Sequence, residues 1–567
     1  MTIERHYAMV GERRVHYRRA GGGPALVLLH AAPNSSFVLE PLIAQLAASR
    51  TAIAIDLPGY GESDPLPVAR PTILNYARAL GETLDALGLD RVDLYGAHTG
   101  AAIAVAFALI RPDRVRKLVL EEYQLYTPEE RDELIARFCP PMVPDWAGGH
   151  LVRAWAMRRD MFVFRPWFRR IPEARLPLDL PSPERLHDLF VDFLRGGTFP
   201  WLGHLASFAY DGLPALDQLQ TSTLLLASEG DPVRMHLERL NAAGPIQIDA
   251  PPATLDDTGA LAERILSFLG NDGLPAGPPP PAAVKSRFGA IRRAYLPSRL
   301  GPILTRLSGE PGGKRPVVLF QSSPASSEPL EPLLEALATD RLVVAFDSPG
   351  NGDSAVFPGE PTIDDLAAIL GDAIDALGIG EYDAYGFHTG ALIALQSSIS
   401  APARVRHVVI DGIPLYSAEL AKELLATYAP PMQIDPHGGH LVWAWNFRRD
   451  MGLWSPWYRR RKKASRRRDP YPDAAEMHAG AVDFLKGAKT YHVNYWAAFR
   501  YPTADRLVQL PAAALVTAKR GDSLSGGVPE AARLAPRGEV SVNAGISTPE
   551  ALLETAGLYR AFFDRGD

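Results

Sequence analysis

The sequence predicts an α/β protein built twice over: two tandem domains, each a mostly parallel sheet flanked by helices, with an inserted helical cap. Three observations carry that prediction. A five-residue signature occurs as Gly96-Ala97-His98-Thr99-Gly100 and again as Gly386-Phe387-His388-Thr389-Gly390. Each copy follows a short apolar run and precedes an Ala/Ile/Leu-rich stretch, the pattern of strand, glycine-flanked turn and helix. The surrounding sequence repeats with a period near 290, far too long for a solenoid and right for a duplicated domain. Within each half, short β-branched runs alternate with amphipathic stretches, which implies a parallel sheet covered by helices on both faces.

Taken in order, Arg13–Arg18 reads as a strand and Ala25–His30 as a buried β-run that ends in a loop. Thr51–Asp56 is the next strand, and Ile73–Leu87 has the spacing of an amphipathic helix. Val92–Gly96 is the strand feeding the first signature, Ala101–Ile110 the helix after it, and Val115–Glu121 the strand that follows. Thr223–Ala227 and Ile246–Asp249 complete the set. Between Glu122 and Gln220 the alternation breaks into stretches rich in Trp, Arg and Pro, which predicts the cap.

The repeat is visible residue by residue. At an offset of 290, Pro71-Thr72-Ile73 matches Pro361-Thr362-Ile363 and Leu125-Tyr126 matches Leu415-Tyr416; Cys139–Arg170 and Ala429–Arg460 are identical at 19 of 32 positions. At an offset of 291, Asp56-x-Pro58-Gly59-x-Gly61-x-Ser63 matches Asp347-x-Pro349-Gly350-x-Gly352-x-Ser354, and Gly230-Asp231 matches Gly521-Asp522. The expected organisation is a first domain at 1–270 with its cap at about 122–220, a linker at 271–285, and a second domain at 286–567 with its cap at about 412–510. Pro278–Pro281 suits a stiff polyproline spacer inside that linker.

Composition narrows the class. The 567 residues are 47% hydrophobic and 22% charged, with a formal net charge of −6. That balance gives no general attraction to nucleic acid or to an anionic membrane surface. The polar start predicts no signal peptide, and no apolar run approaches the ~20 residues of a membrane span. One cysteine, Cys139, excludes an intrachain disulfide and a multi-cysteine metal site. A cytoplasmic protein that needs no metal or other cofactor and acts on a small molecule is the expectation. The basic run Arg459–Arg468 has no equal in the first half and reads as a solvated cap loop.

Four features, in chain order, resemble the α/β-hydrolase superfamily in both halves. Leu29-His30-Ala31-Ala32-Pro33 is similar to its oxyanion loop. Asp56–Ser63 follows, then the signature in the place of its nucleophile elbow, G-x-S-x-G, and then Leu224–Asp231 where the family carries an acid. The resemblance implies hydrolysis as the default activity, although fold alone does not settle function. Both halves depart from it: the elbow centre is histidine, and no histidine follows the last strand, where Asp249–Thr254 and Asn543–Thr548 stand. A Ser–His–Asp triad is therefore absent.

An imidazole at the start of a helix is expected to be mostly neutral, and a neutral imidazole can act as base, nucleophile or donor. A carboxylate on its second nitrogen would orient it. Asp231 and Asp522 are one candidate pair, and Glu121 and Asp411 the other; the catalytic set is thus His98, Asp231, Glu121, His388, Asp522 and Asp411. Around it, His30, Ala31, Thr99, Gln321 and Thr389 are expected to meet the substrate from the loops. From the cap come Trp155, Arg158, Arg159, Trp445, Arg448 and Arg449, suited to a carboxylate or a planar ring. His150, at the N-terminal end of that cap helix, reads as packing. Base or nucleophile chemistry in hydrolysis or lyase reactions is one outcome; a non-catalytic ligand-binding protein that has lost its triad is the other.

Overall fold

The computed structural model describes residues 2–566 except 228–230, 232, 241–244, 253–257, 271–273, 281–286 and 467–470. Much of the expected linker (271–273 and 281–285), along with Ala253, Thr254, Gly230, Arg467 and Arg468, therefore lies outside the described residues. The chain divides into two compact units, one around each of two sheets.

Eight strands form the first sheet: β1 (Glu4–Val10), β2 (Arg13–Ala20), β3 (Ala25–Leu29), β4 (Thr51–Ile55), β5 (Val92–Ala97), β6 (Val115–Glu121), β7 (Ser222–Leu226) and β8 (Ile246–Asp249). The second comprises β9 (Arg292–Leu296), β10 (Ile303–Ser308), β11 (Val317–Phe320), β12 (Val343–Phe346), β13 (Tyr382–Phe387), β14 (Val405–Asp411), β15 (Ala513–Lys519) and β16 (Gly538–Asn543). The spatial orders correspond: β1-β2-β4-β3-β5-β6-β7-β8 and β9-β10-β12-β11-β13-β14-β15-β16. Only the first two pairings of each sheet are antiparallel. The rest are parallel. β1 was not foreseen; its residues are half-buried and of mixed polarity, so no clean alternation marks them.

The central strands are apolar on both faces because helices cover both. Ala25–Leu29 and Val317–Phe320 are wholly buried. At ~25 cal/mol per Å2 of apolar surface removed from water, such strands supply much of the driving force for folding. The helices Thr99–Ile110 and Thr389–Ser400 are also buried through Ala108 and Ser398, against the strands that feed them.

Helices fill the insertion between β6 and β7: Pro128–Arg137, Gly149–Asp160, Pro183–Leu194, Leu202–Ala209 and Gly212–Asp217. The second unit has the same series between β14 and β15. One tie recurs: Asp192 accepts the Ser35 N–H at 2.7 Å, and Asp483 accepts the Ser326 N–H at 2.8 Å, fastening the insertion to the loop after the third strand. The Asp-x-Pro-Gly motif is a brace as well. Asp56 accepts the Ser36 and Glu62 N–H groups at 2.8 and 2.9 Å, and a Cβ on Gly61 would lie 2.0 Å from its carboxylate.

Candidate functional site

The signature turns have one backbone geometry. β5 ends at Ala97 and a helix starts at Thr99; between them His98 has φ +46° and ψ −109°. His388 has φ +49° and ψ −111° in the same position. Left-handed backbone at a histidine is strained, and such strain persists only where the surroundings hold it. Both flanking glycines are required. A Cβ on Gly96 would sit 2.4 Å from the Gly100 carbonyl, and one on Gly100 would sit 2.3 Å from the Leu29 carbonyl. The backbone frame also repeats: the His98 N–H donates to the Glu121 carbonyl at 3.0 Å and the His388 N–H to the Asp411 carbonyl at 2.9 Å.

The side chains part company at that point. In the second unit His388 Nε2–H donates to Asp522, 3.1 Å to Oδ2 and 3.3 Å to Oδ1. Burial works against the Asp522 carboxylate, but the His388 bond and charge outweigh it and hold its pKa down at about 2. In the first unit His98 Nε2 is paired instead with Glu122, a residue the sequence did not single out. Burial penalises the imidazolium, yet the Glu122 carboxylate raises the His98 pKa above its ordinary value. Glu122 itself is lowered, its burial overcome by His98.

One position accounts for the difference. Glu122 has φ +52°, and glycine stands at the matching position, Gly412, with φ +60°. A Cβ on Gly412 would fall 2.6 Å from His388 Cδ2 and 2.9 Å from Nε2. The second histidine thus turns toward its aspartate through space that a side chain would fill. In the first unit Glu122 holds His98, so neither Asp231 nor Glu121 bonds it. The sequence carried a signal for this: a glycine in one copy marks a left-handed position in the other.

The remaining acids are buried. Among the described residues one Asp231 carboxylate oxygen has no hydrogen-bond partner, while the other accepts the Val233 N–H at 2.7 Å. Burial, then the Glu122 charge, push both Asp231 and Glu121 up to about 7. Glu121 accepts the Tyr95 hydroxyl. Asp411 accepts Tyr385 at 3.0 Å, Asn543 at 3.0 Å and Tyr559 at 3.1 Å, and burial still raises it to about 6. On the other side of His98, the Gln124 amide donates to Nδ1 at 3.0 Å and accepts the Ser207 hydroxyl at 3.0 Å. Pro414 replaces Gln124 in the second copy.

Several expected substrate contacts prove to be internal. His30 is fully buried; Leu57 N–H donates to its Nε2 at 2.9 Å and its Nδ1 lies 3.1 Å from the Ala31 carbonyl, so it braces the loop. Gln321 turns its Oε1 back onto the Ser322 N–H at 2.7 Å. Trp155 and Trp445 present 1% and 0% of their surface and so line no cavity that admits water. Trp155 packs edge-on against Phe190. Arg158 is buried, donates to Asn34 at 2.8 Å, and is lowered to about 10 by that burial. Arg449 pairs with Asp450 at 3.5 Å. Arg159 and Arg448 are half-buried, Ala31 is partly open beside the turn, and Thr99 and Thr389 lie buried at the helix starts. Buried His150 accepts the Asp145 N–H at 3.2 Å, a helix-start contact. Burial pushes the Cys139 thiol up to about 12, away from reactivity. Among the described residues no group of three or more His, Cys, Asp or Glu is placed to hold a metal ion, and no helix is long and apolar enough to cross a membrane.

Comparison with known proteins places this geometry in a family. The family described as "alpha/beta hydrolase fold" matches residues 24–138 and 315–503, more than half of the chain. A curated relative, the 2-hydroxy-6-oxononadienedioate/2-hydroxy-6-oxononatrienedioate hydrolase 1 of Dechloromonas aromatica, is 38% identical over 115 residues, 19% of this chain and 39% of that protein. Haloalkane dehalogenase 2 of Mycobacterium bovis is 38% identical over 107 residues, 19% of this chain and 37% of that protein. The chain thus spans only about two-fifths of the length of these relatives. Among solved structures, the enol-lactonase from Burkholderia xenovorans LB400 is 19% identical, covers 46% of this chain and 99% of its own, and has a TM-score of 0.37. A laboratory-evolved potato epoxide hydrolase is 20% identical, covers 47% and 99%, and has a TM-score of 0.40. The extent of the family match decides the assignment: the chain belongs to the α/β-hydrolase fold family.

Proposed function

We propose that the protein is an enzyme acting on a small organic substrate, with the elbow histidine as general base. The observation that carries the reading is the His388–Asp522 pair at 3.1 Å, on a side chain that is 28% exposed. With its Nε2 proton directed to the carboxylate, the neutral ring keeps a lone pair on Nδ1. That nitrogen can take a proton from water, which then attacks the substrate, and Asp522 stabilises the imidazolium that forms. The same first step on a substrate carbon acid would begin lyase chemistry. The helix from Thr389 starts beside the ring, and the positive end of its dipole suits the negative charge that develops. The curated relatives' names, a hydrolase and a dehalogenase, support a small organic substrate.

A second reading, ligand binding without turnover, is favoured for the first unit by one observation: both ring nitrogens of His98 already have protein partners, Glu122 and Gln124. An untargeted metabolite screen of the parent protein against His98→Ala and His388→Ala, singly and together, tests both. A substrate consumed by the parent and by the His98→Ala protein, but not by the His388→Ala protein, supports catalysis in the second unit. Equal consumption by the double variant sinks the general-base reading.

A further inference from the structure

The two units differ again where one helix of the insertion leads to the next. In the second unit the helices Ala474–Lys486 and Tyr491–Arg500 are joined by residues 487–490. In the first, Pro183–Leu194 and Leu202–Ala209 are joined by the longer 195–201. Gly197 in that loop has φ +71°, where the second copy has Ala488, a residue that rarely takes left-handed backbone. Pro200 also biases Phe199 toward extended backbone. The short loop lies against the Asp-x-Pro-Gly turn of its unit: the Thr490 hydroxyl donates to the Gly350 carbonyl at 2.9 Å, and a Cβ on Gly487 would lie 3.1 Å from the same oxygen. The long loop stands off. At the offset of 291, Phe199 and Gly59 match Thr490 and Gly350, yet a Cβ on Gly59 would meet only Pro65 within 4 Å.

Between that loop and the turn lies a cavity of about 290 Å3, at the small end of the ~300–1,000 Å3 usual for ligand pockets. Pro58, Leu66, Pro71, Phe199, Pro200 and Leu202 give it an apolar wall, and none of its lining residues belongs to the elbow or to the acids around it. Most of its polar side chains are committed. The Tyr60 hydroxyl accepts the Gly203 N–H at 2.7 Å and donates to the Pro200 carbonyl at 3.3 Å. The Ser63 hydroxyl accepts the His16 N–H and donates to the Asp56 carbonyl, both at 2.9 Å. Arg195, the one charged residue of the lining, is engaged elsewhere in the chain. Tyr76 is the exception. It lines the cavity and is otherwise buried, 2% exposed, and among the described residues its hydroxyl has no hydrogen-bond partner. Leu366 stands at its place in the second copy. A buried hydroxyl is rarely left unpaired. Burial alone raises the phenol's pKa, so it keeps its proton and can donate.

We propose that this cavity is a second ligand site of the first unit, for an uncharged planar ring compound whose acceptor atom, a ring nitrogen or a carbonyl oxygen, receives the Tyr76 hydroxyl. The test is titration of the full chain at pH 8 with quinoline and with naphthalene, which share a shape and differ in the acceptor nitrogen. Binding is read by NMR of methyl-labelled leucine and valine. Both molecules should shift the methyl signals of Leu66, Val68 and Leu202, and quinoline should bind about threefold to tenfold more tightly. Tyr76→Phe should bring quinoline down to the affinity of naphthalene and leave naphthalene unchanged. Should that variant fail to fold, Tyr76→Leu, with the residue of the second copy, makes the same comparison. The parent's own ratio decides in either case: equal affinities mean that solvent satisfies the hydroxyl, and the proposal falls. It falls too if neither molecule moves those methyls, or if the preference persists in a folded Tyr76 variant. His98→Ala/His388→Ala should bind quinoline as the parent does, so failure of the general-base reading leaves this site standing. Binding lost with the histidines would put the ligand at an elbow and overturn it.

Discussion

The two elbows differ in a way their backbones do not. His98 and His388 share a left-handed conformation, flanking glycines and a bond from their N–H to the neighbouring strand. Yet His98 pairs with Glu122 on the adjacent strand's exit, and His388 pairs with Asp522 after the following strand. Glutamate or glycine at one left-handed position separates the two arrangements. The fold tolerates either residue there, so the choice bears on the chemistry: it sets which acid supports the imidazole and how many buried carboxylates surround it.

The largest effect expected from breaking the comparison is loss of the base itself. His388→Ala should lower turnover in its unit by ~10²–10⁴-fold, measured in single turnovers with the substrate from the metabolite screen. His388→Gln should fare no better, and serine should not rescue activity, because no histidine follows the last strand to activate a hydroxyl. A faster esterase from His98→Ser, with the second site silenced, would reveal a base elsewhere.

Exchanging the deciding residue should have the next largest effect. Gly412→Ala should push His388 away from Asp522 and cut turnover by about tenfold or more, with ~1–2 kcal/mol of lost stability from a Cβ in the left-handed region. Glu122→Gly should free His98 to approach Asp231. A crystal structure in which His98 keeps its orientation without Glu122 would show that this position does not decide the pairing.

Titration separates the units more gently. Glu122 holds the His98 pKa above 6.5 against its burial, so Glu122→Gln should drop it below that value, as followed by NMR of the ring. Stability in the first unit should fall as pH rises. Asp231 and Glu121 titrate at about 7 in the folded chain against ordinary values of 3.8 and 4.5. Their raised pKa values favour the folded state fully below pH ~4, and that contribution is lost as pH rises through 7. Urea midpoints should therefore fall across that window, and less so for Asp231→Asn. A midpoint independent of pH there would mean both acids stay charged.

The smallest effect concerns the acid beneath the second elbow. Asp411 accepts three side-chain donors, so Tyr559→Phe should cost only about 1 kcal/mol, read from chemical denaturation, and leave the His388–Asp522 distance unchanged.

Much of this was legible in the chain. The strand that ends at Ala97, the helix that starts at Thr99 and the glycines that flank the turn, Gly96 and Gly100, follow from period, apolar content and the needs of a tight turn. The insertion announced itself as a break in that alternation. Glu122 and Gln124 were harder to read, because their importance lies in where a left-handed residue and an exit loop aim their side chains. His30 was misread for the converse reason: its motif pointed to the ligand, but burial turned both nitrogens onto backbone.

By itself the sequence determined a doubled α/β frame with a histidine at each elbow, because strand, turn and helix preferences act over a few neighbouring residues and were written twice. Only the tertiary structure decided which acid meets each histidine. His388 and Asp522 stand 134 residues apart. Their meeting depends on sheet order, and on whether a single side chain stands in the space between them.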